Sequence, residues 1–266
     1  MMQDIYSDGT YAARNPSWHS EDSPWKAAHL FSLLDSAALD EMRRHGLTVA
    51  EIGCGYGGVL GNLCKLLEDQ GIPCQATGYD IAPAALVELA RRHPSIRPVQ
   101  ATLPAEGEFF DLGLMVDILE HLDDPATTLA RAHQHFQWVL LHIPLDENWL
   151  GRAKRPGHYY QYLREDRGHI HYYTKTSALA LLHGAGLKVM RWKFTPWGTE
   201  LYRPGGGRSD PVVRVLRAAG MCTWPALAVR VLGGASLACL CATGTDANGA
   251  RARTGGPAPR HAPQDS

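Results

Sequence analysis

Two stretches of the chain hold side chains whose types and spacing suit chemistry. The first is Glu51-Ile-Gly-Cys-Gly-Tyr-Gly-Gly58. Glycines there let backbone N–H groups approach a ligand at the positive end of a following helix. Gly53, Gly55 and Gly58 fit the G-x-G-x-x-G spacing of a dinucleotide loop, and Asp80, which closes the next apolar run, suits the hydroxyls of a ribose. The second stretch is Asp117-Ile-Leu-Glu120-His121, set among Met115, Val116, Ile118, Leu119 and Leu122. Polar side chains in such company imply a partly buried polar site. Three readings of it stay open. His121 could take a proton from an attacking hydroxyl or amine, a task its near-neutral pKa suits. Asp117, Glu120 and His121 could instead bind a divalent cation with His169 or His171 of Gly-His-Ile-His-Tyr-Tyr173, which alternation places on one face. In the third reading Glu120 caps a helix and His121 packs against the sheet. His142 and Asp146, in His142-Ile-Pro-Leu-Asp146, follow a further apolar run and are also acid–base candidates; Asp146 could orient a base or accept from substrate.

These residues need a scaffold, and the middle of the chain alternates short apolar runs with amphipathic segments, as in a parallel sheet covered by helices. Leu47–Ile52, Cys74–Tyr79, Ile96–Ala101, Phe110–Val116 and Trp138–Ile143 read as five strands. Val59–Gln70 reads as a helix stopped by Gly71, Pro83 opens another that runs to about Arg92, and Asp124-Pro125 opens one that runs to His135. Leu145–Tyr173 is too irregular for a strand–helix unit, and loops of that length are usually functional. Its Arg152, Lys154, Arg155, Arg164 and Arg167 interleave with Tyr159, Tyr160 and Tyr162, which suits a carboxylate, phosphate or sugar. Thr174–Gly184 reads as a helix, with Leu187–Phe194 and Ser236–Ala242 as late strands. Before the first strand, Tyr11, Trp18, His19, Trp25 and Lys26 lie in a segment read as a lid, because two Trp rings left exposed would be costly. The chain therefore divides into a lid segment over 1–45, a ligand-binding domain over 46–243 with an insertion loop at 145–173, and a disordered tail over 244–266 rich in Gly, Pro, Ala and Arg.

Composition excludes several classes. Of 266 residues, 26 are Lys or Arg and 27 Asp or Glu, so the formal charge of −1 argues against a duplex-tracking nucleic-acid binder. No apolar run reaches the roughly 18–20 residues of a membrane span; Ala218–Val229 is broken by Pro225. Met-Met-Gln-Asp at the N-terminus shows no secretory signal, and six cysteines without a CxxC pair fit reduced thiols. A cytoplasmic protein that is a monomer or homodimer, and that acts on a small molecule rather than on nucleic acid or a membrane, is expected.

Glu51, two residues before Gly53, completes the [DE]-x-G-x-G-x-G motif with Gly55 and Gly57. With this motif the chain resembles the class I S-adenosylmethionine (SAM)-dependent methyltransferases. The resemblance covers residues 45–243 through EIGCGYGG (51–58), GYDIAP (78–83), DLGLMVDILEHLDDP (111–125) and GHIHYYT (168–174). It implies a Rossmann-like α/β fold: a seven-stranded, mostly parallel sheet with helices on both faces, plus an N-terminal helical lid. It also implies that SAM is the cofactor, held by Glu51, Gly53, Cys54, Gly55, Gly57, Asp80, Ile81, Thr102 and Asp117, with Trp25 covering it from the lid. Aromatic rings at Tyr11, Trp18 and Trp25 would stabilise a sulfonium by about 0.5–2 kcal/mol each. The family usually has Asp near Thr102, which leaves the adenine contact open. His121, Asp146 and His142 are the expected catalytic residues. Expected chemistry is methyl transfer to an oxygen or nitrogen of a small polar metabolite. SAM chemistry that moves or cyclises the aminocarboxypropyl arm, or a SAM sensor without turnover, are the alternatives. The polar set also resembles the Glu-x-x-Glu-His pattern by which small-RNA 2′-O-methyltransferases and quinone-pathway O-methyltransferases hold magnesium. The shorter Asp117 at its first place favours a site without metal.

Overall fold

The computed structural model describes residues 21–35, 39–40, 42, 46–132, 134–201 and 211–244. In chain order these form α1 (Ser23–Phe31), β1 (Leu47–Ile52), α2 (Gly58–Glu68), β2 (Cys74–Asp80), α3 (Pro83–Arg92), β3 (Ile96–Gln100), β4 (Phe110–Val116), α4 (Pro125–Ala132), β5 (Phe136–Pro144), α5 (Trp149–Lys154), α6 (Tyr159–Arg167), α7 (Lys175–Gly184), β6 (Lys188–Thr195), α8 (Trp197–Glu200), α9 (Pro211–Thr223), α10 (Pro225–Leu232) and β7 (Ser236–Ala242). The strands make one seven-stranded sheet in the order β3-β2-β1-β4-β5-β7-β6. Strands β1 to β5 run parallel, and β7 is antiparallel to both β5 and β6.

Apolar runs, rather than alternation, mark the central strands because both faces are covered. β1 and β4 are buried along almost their whole length. Leu112 and Leu114 of β4 pack on one face with Leu30 of α1, Leu60, Leu63 and Leu67 of α2 and Leu89 of α3. Met115 packs on the opposite face with Leu129 of α4 and Leu182 of α7. The edge strand β3 leaves Arg97, Pro98 and Gln100 outside the buried core, and a proline there removes no ladder bond that the sheet needs.

Strand order reverses between β1, whose next strand lies on one side, and β4, which lies on the other. The carboxyl ends of these two neighbours therefore open a crevice, the place where doubly wound sheets bind ligands. Gly53 follows β1 and Asp117 follows β4, so the topology alone brings the two candidate stretches together.

Residues 145–173 and 23–31 differ from the sequence expectation, whereas Pro225 interrupts its apolar run as expected. Residues 145–173 are not an irregular loop, because α5 and α6 lie within them. Both helices are polar and short, and α6 anchors itself through only Tyr159 and Leu163, too few apolar positions to show a period. The Pro225 run holds the junction of α9 and α10, with proline at the start of the second helix. Within the expected lid over 1–45, α1 is rooted in the core, since Ala27 and Leu30 are fully buried. Tyr11, Trp18 and His19 lie outside the described residues, as does the expected tail beyond Gly244. All six thiols are free. No helix among the described residues is long and apolar enough to cross a membrane.

Candidate active site

After β1 the chain turns through Gly53, Gly55 and Gly57, with φ of 69°, 53° and 80°. Side-chain-bearing residues rarely adopt such values. A Cβ at Gly53 would also fall 2.2 Å from Cδ1 of Ile118, so the turn packs directly on the residue after Asp117. Gly53 N–H and Cys54 N–H both donate to Tyr79 O, at 2.8 and 3.0 Å. The Cys54 side chain points inward, beside Gly78, and its buried thiol is pushed far above the usual range. Only its backbone faces the turn. Glu51 lies beneath, 3% exposed, and its Oε2 accepts from Leu60 N–H in the first turn of α2. Burial pushes its carboxyl up to about 8.

Asp80 caps the neighbouring strand end. Its Oδ2 accepts from Gly55 N–H and its Oδ1 from Ala82 N–H, both at 2.8 Å. The carboxylate thus ties the glycine turn to the start of α3, and burial raises its pKa. Ile81 stands beside it, with its carbonyl accepting from Gln100 Nε2 at 3.4 Å. Thr102 follows β3 at the same sheet edge and is exposed.

Asp117 has φ of 49°, and its N–H donates to His142 O at 2.9 Å. Backbone strain of this kind collects at functional sites. Its Oδ1 accepts from His142 Nδ1 at 2.6 Å, and its Oδ2 lies 2.8 Å from Lys26 Nζ. Burial would raise the Asp117 carboxyl, but His142 and Lys26 outweigh it and hold the group well below the usual carboxylate range. Burial likewise opposes the Lys26 charge, and Asp117 and Asp22 outweigh it, so the ammonium stays above the usual lysine range. His142 Nε2 is 2.9 Å from Thr195 Oγ1. With both ring nitrogens engaged, His142 orients Asp117 and offers no nitrogen to an acceptor's proton. Trp25 donates from Nε1 to Glu200 Oε2 at 2.7 Å, and its ring stands edge-on to His142 with centroids 6.2 Å apart.

A second polar set lies on the other side of the turn after β4. Glu120 is 1% exposed, and neither carboxylate oxygen has a hydrogen-bond partner. Burial, with Asp117 nearby, raises its pKa well above the ordinary value. His121 Nδ1 is 3.0 Å from Gly168 O, and burial with His169 beside it pushes the imidazole down to about 4. The rings of His121 and His169 meet edge-on with centroids 5.0 Å apart. His169 Nδ1 is 2.6 Å from Asp146 Oδ2, so Asp146 orients that histidine. The expected pairing of His169 with His171 does not form. His171 donates from Nε2 to Leu122 O at 2.9 Å, a bond to backbone.

Sequence reasoning missed Lys26, Glu200 and Thr195 as parts of the site. Asp22 and Lys26 at helical spacing were the only one-dimensional hint of the first. Glu200 and Thr195 reach the site through pairings 175 and 53 residues away in the chain, which no local pattern encodes.

A methyltransferase-domain family model matches residues 18–191. Over 126 residues, covering 44% of this chain and 51% of the relative, the chain is 28% identical to the ubiquinone biosynthesis O-methyltransferase of Azotobacter vinelandii. Over 114 residues it is 30% identical to an uncharacterised 37.1 kDa protein in a transposon of Streptomyces fradiae, covering 41% of this chain and 32% of that one. The chain thus matches about half the length of one curated relative and a third of the other. Among solved structures, a Haloferax volcanii methyltransferase in complex with the Trm112 methyltransferase activator shares the fold with a TM-score of 0.56, at 14% identity over 90% of this chain and 97% of that one. The plantazolicin methyltransferase BpumL, solved with a monoazolic desmethylPZN analogue and S-adenosylhomocysteine, gives the same TM-score at 12% identity, covering 91% of this chain and 93% of that one. With the family model matching residues 18–191, well over half of the chain, the chain belongs to the methyltransferase-domain family, whose methyl donor is S-adenosylmethionine.

Proposed function

We propose that this protein transfers the methyl group of SAM to an oxygen or nitrogen of a small polar acceptor. The observation that carries the reading is the shared crevice. The open glycine turn and Asp80 stand on one side of it, and Asp117, Glu120 and His121 follow β4 on the other. When bound, SAM supplies an electrophilic methyl carbon on a sulfonium.

The chain's own residues fit such a ligand. Positive φ at Gly53, Gly55 and Gly57 leaves the turn without side chains, so backbone can approach closely. Asp80, already fixed by two N–H donors, presents a carboxylate for ribose hydroxyls. Lys26 and Asp117 set a cation beside an anion, the complement of an amino-acid end that carries both charges. Trp25 of α1, held by Glu200, covers that side of the crevice and helps exclude water. Residues 46–243 form the SAM-binding unit in this reading. Methyl transfer is an in-line displacement, so holding donor and acceptor in one orientation supplies much of the rate. Glu120, His121 and His169, with Asp146 behind them, face the acceptor. The curated Azotobacter relative is named an O-methyltransferase, which supports an oxygen acceptor.

Product analysis tests the reading. The protein incubated with SAM and a panel of small hydroxylated and aminated compounds should release S-adenosylhomocysteine. Methylthioadenosine as the product would indicate transfer or cyclisation of the aminocarboxypropyl arm. SAM binding without turnover across the panel would favour a sensor.

A further inference from the structure

We propose that α9 and α10 pair with the same two helices of a second copy of this chain, forming a two-fold dimer. This pairing is independent of the methyl-transfer reading. A surface helix normally turns its apolar stripe inward and its charges to water. α9 does the reverse. Val215, Leu216, Ala219 and Cys222 share one face at helical spacing, and all four are exposed. Arg214, Arg217 and Met221 share the opposite face and are half-buried. Arg217 donates from Nε and Nη2 to Leu232 O, at 3.2 and 2.8 Å, so its charge is turned onto α10. A Cβ at Gly220 would fall 2.6 Å from Cβ of Ala228, which marks how closely the two helices cross. They form one hairpin, and Trp224 at its corner and Leu227 in α10 are exposed as well.

α9 buries none of its 13 residues. A helix of that length is marginal in water unless packing holds an apolar face. Val215, Leu216, Trp224 and Leu227 are between 50% and 67% exposed. Together they offer on the order of 500 Å² of apolar surface, comparable to the largest patch on a typical monomeric protein. Trp149 of α5, a helix packed against α10, is also exposed. A standard interface takes about 800 Å² from each partner, so this face supplies most of a dimer contact.

Charge and composition choose the occupant. No carboxylate lies between Pro211 and Leu232, and the arginines of α9 turn away from the stripe, which leaves the outward face uncharged. In a two-fold contact each patch meets its own copy, so a charged face would repel itself and this one does not. Apolar side chains with an aromatic anchor and few charges are the composition of homodimer interfaces. An anionic lipid surface calls instead for cations bordering the stripe. Arg217 is bound to Leu232 O, and Arg230 of α10 donates to Glu147 O at 2.6 Å. Residues 245–266 hold no Leu, Ile, Val, Met, Phe, Tyr or Trp with which to cover the stripe.

Sedimentation equilibrium of the full chain at micromolar concentrations tests the pairing. Twice the chain mass is expected. Leu216→Glu and Trp224→Glu each bury a carboxylate in the contact and should weaken dimerisation about 100-fold or more. Val87→Glu should leave it unchanged, since Val87 is an exposed apolar residue of α3, outside the hairpin. Where a hairpin variant does not fold, the unmodified protein still decides through Cys222, the one exposed thiol of the six. Its reaction with a maleimide should slow severalfold as protein concentration rises and the partner's hairpin covers it. A rate indifferent to concentration overturns the pairing. A monomer overturns it too, including one that floats with phosphatidylglycerol vesicles, which would make lipid the occupant. A dimer that persists in both hairpin variants, or that is lost in Val87→Glu, places the contact elsewhere and also overturns it.

Discussion

Lys26 Nζ lies 2.8 Å from Asp117 Oδ2, joining the helix before the sheet to the strand end at the point where strand order reverses. Both groups are largely withdrawn from water, so removal of one leaves the other charge partly uncompensated. Lys26→Met should destabilise the fold by about 1–3 kcal/mol in chemical denaturation and weaken SAM binding at least about tenfold. Unchanged SAM affinity would show that the pair is structural alone.

The glycine turn makes a comparative prediction. Gly53 and Gly71 both have positive φ, but a Cβ at Gly53 meets Ile118 at 2.2 Å whereas one at Gly71 meets nothing within 4 Å. Gly71→Ala should therefore cost only the left-handed backbone penalty, about 1–2 kcal/mol. Gly53→Ala adds overpacking and should cost about 2–4 kcal/mol, with loss of SAM binding. Equal losses in denaturant titrations would contradict the close approach of this turn to Ile118.

Glu51 predicts a pH dependence. Burial sets its folded pKa near 8, above the ordinary carboxyl value of 4.5, so the folded chain holds an extra proton between the two. The stability tied to that proton is complete below the unfolded pKa, declines as pH rises, and is gone above about 8. The slope is at most about 1.4 kcal/mol per pH unit. Unfolding midpoints measured from about pH 5 to 8 should fall more steeply for the unmodified protein than for Glu51→Gln. Parallel curves would mean that Glu51 is ionised in the folded chain.

Asp146 is predicted to act through His169. Asp146→Asn keeps the shape but offers His169 Nδ1 an amide in place of a carboxylate, which loosens the tautomer. Methyl transfer should slow about 10–100-fold while SAM affinity holds. Equal loss of turnover and of SAM affinity would place Asp146 in the support of the fold instead.

Much of the scaffold was legible because it rests on local signals. Leu47–Ile52, the glycine turn, Pro83 and Phe110–Val116 each carry their own apolar run or breaker, and the structure places them as read. Residues 145–173 were not legible, since α5 and α6 bury too little apolar surface to leave a period. The site divides in the same way. Asp80 and the glycines are named by a motif, and the structure shows them joined by the Gly55–Asp80 hydrogen bond. The partners that decide the states of Asp117 and His142, namely Lys26 and Thr195, come from distant elements; the Asp22–Lys26 spacing hints at a helix pair, but no spacing announces the contacts with Asp117 and His142. His171 shows the limit of alternation: it shares a face with His169 in an ideal strand, but this segment is bound to Glu120 O and Leu122 O instead.

SAM is expected to bind in the crevice between β1 and β4 through the glycine turn and Asp80. Isothermal titration of the purified protein with SAM, repeated with NAD and with Asp80→Ala, tests it most directly. One SAM site, no NAD binding, and an affinity loss of about 1.5–3 kcal/mol in Asp80→Ala, the scale of a hydrogen bond to a charged group, are expected. Binding of NAD in place of SAM, or SAM affinity indifferent to Asp80, would contradict it.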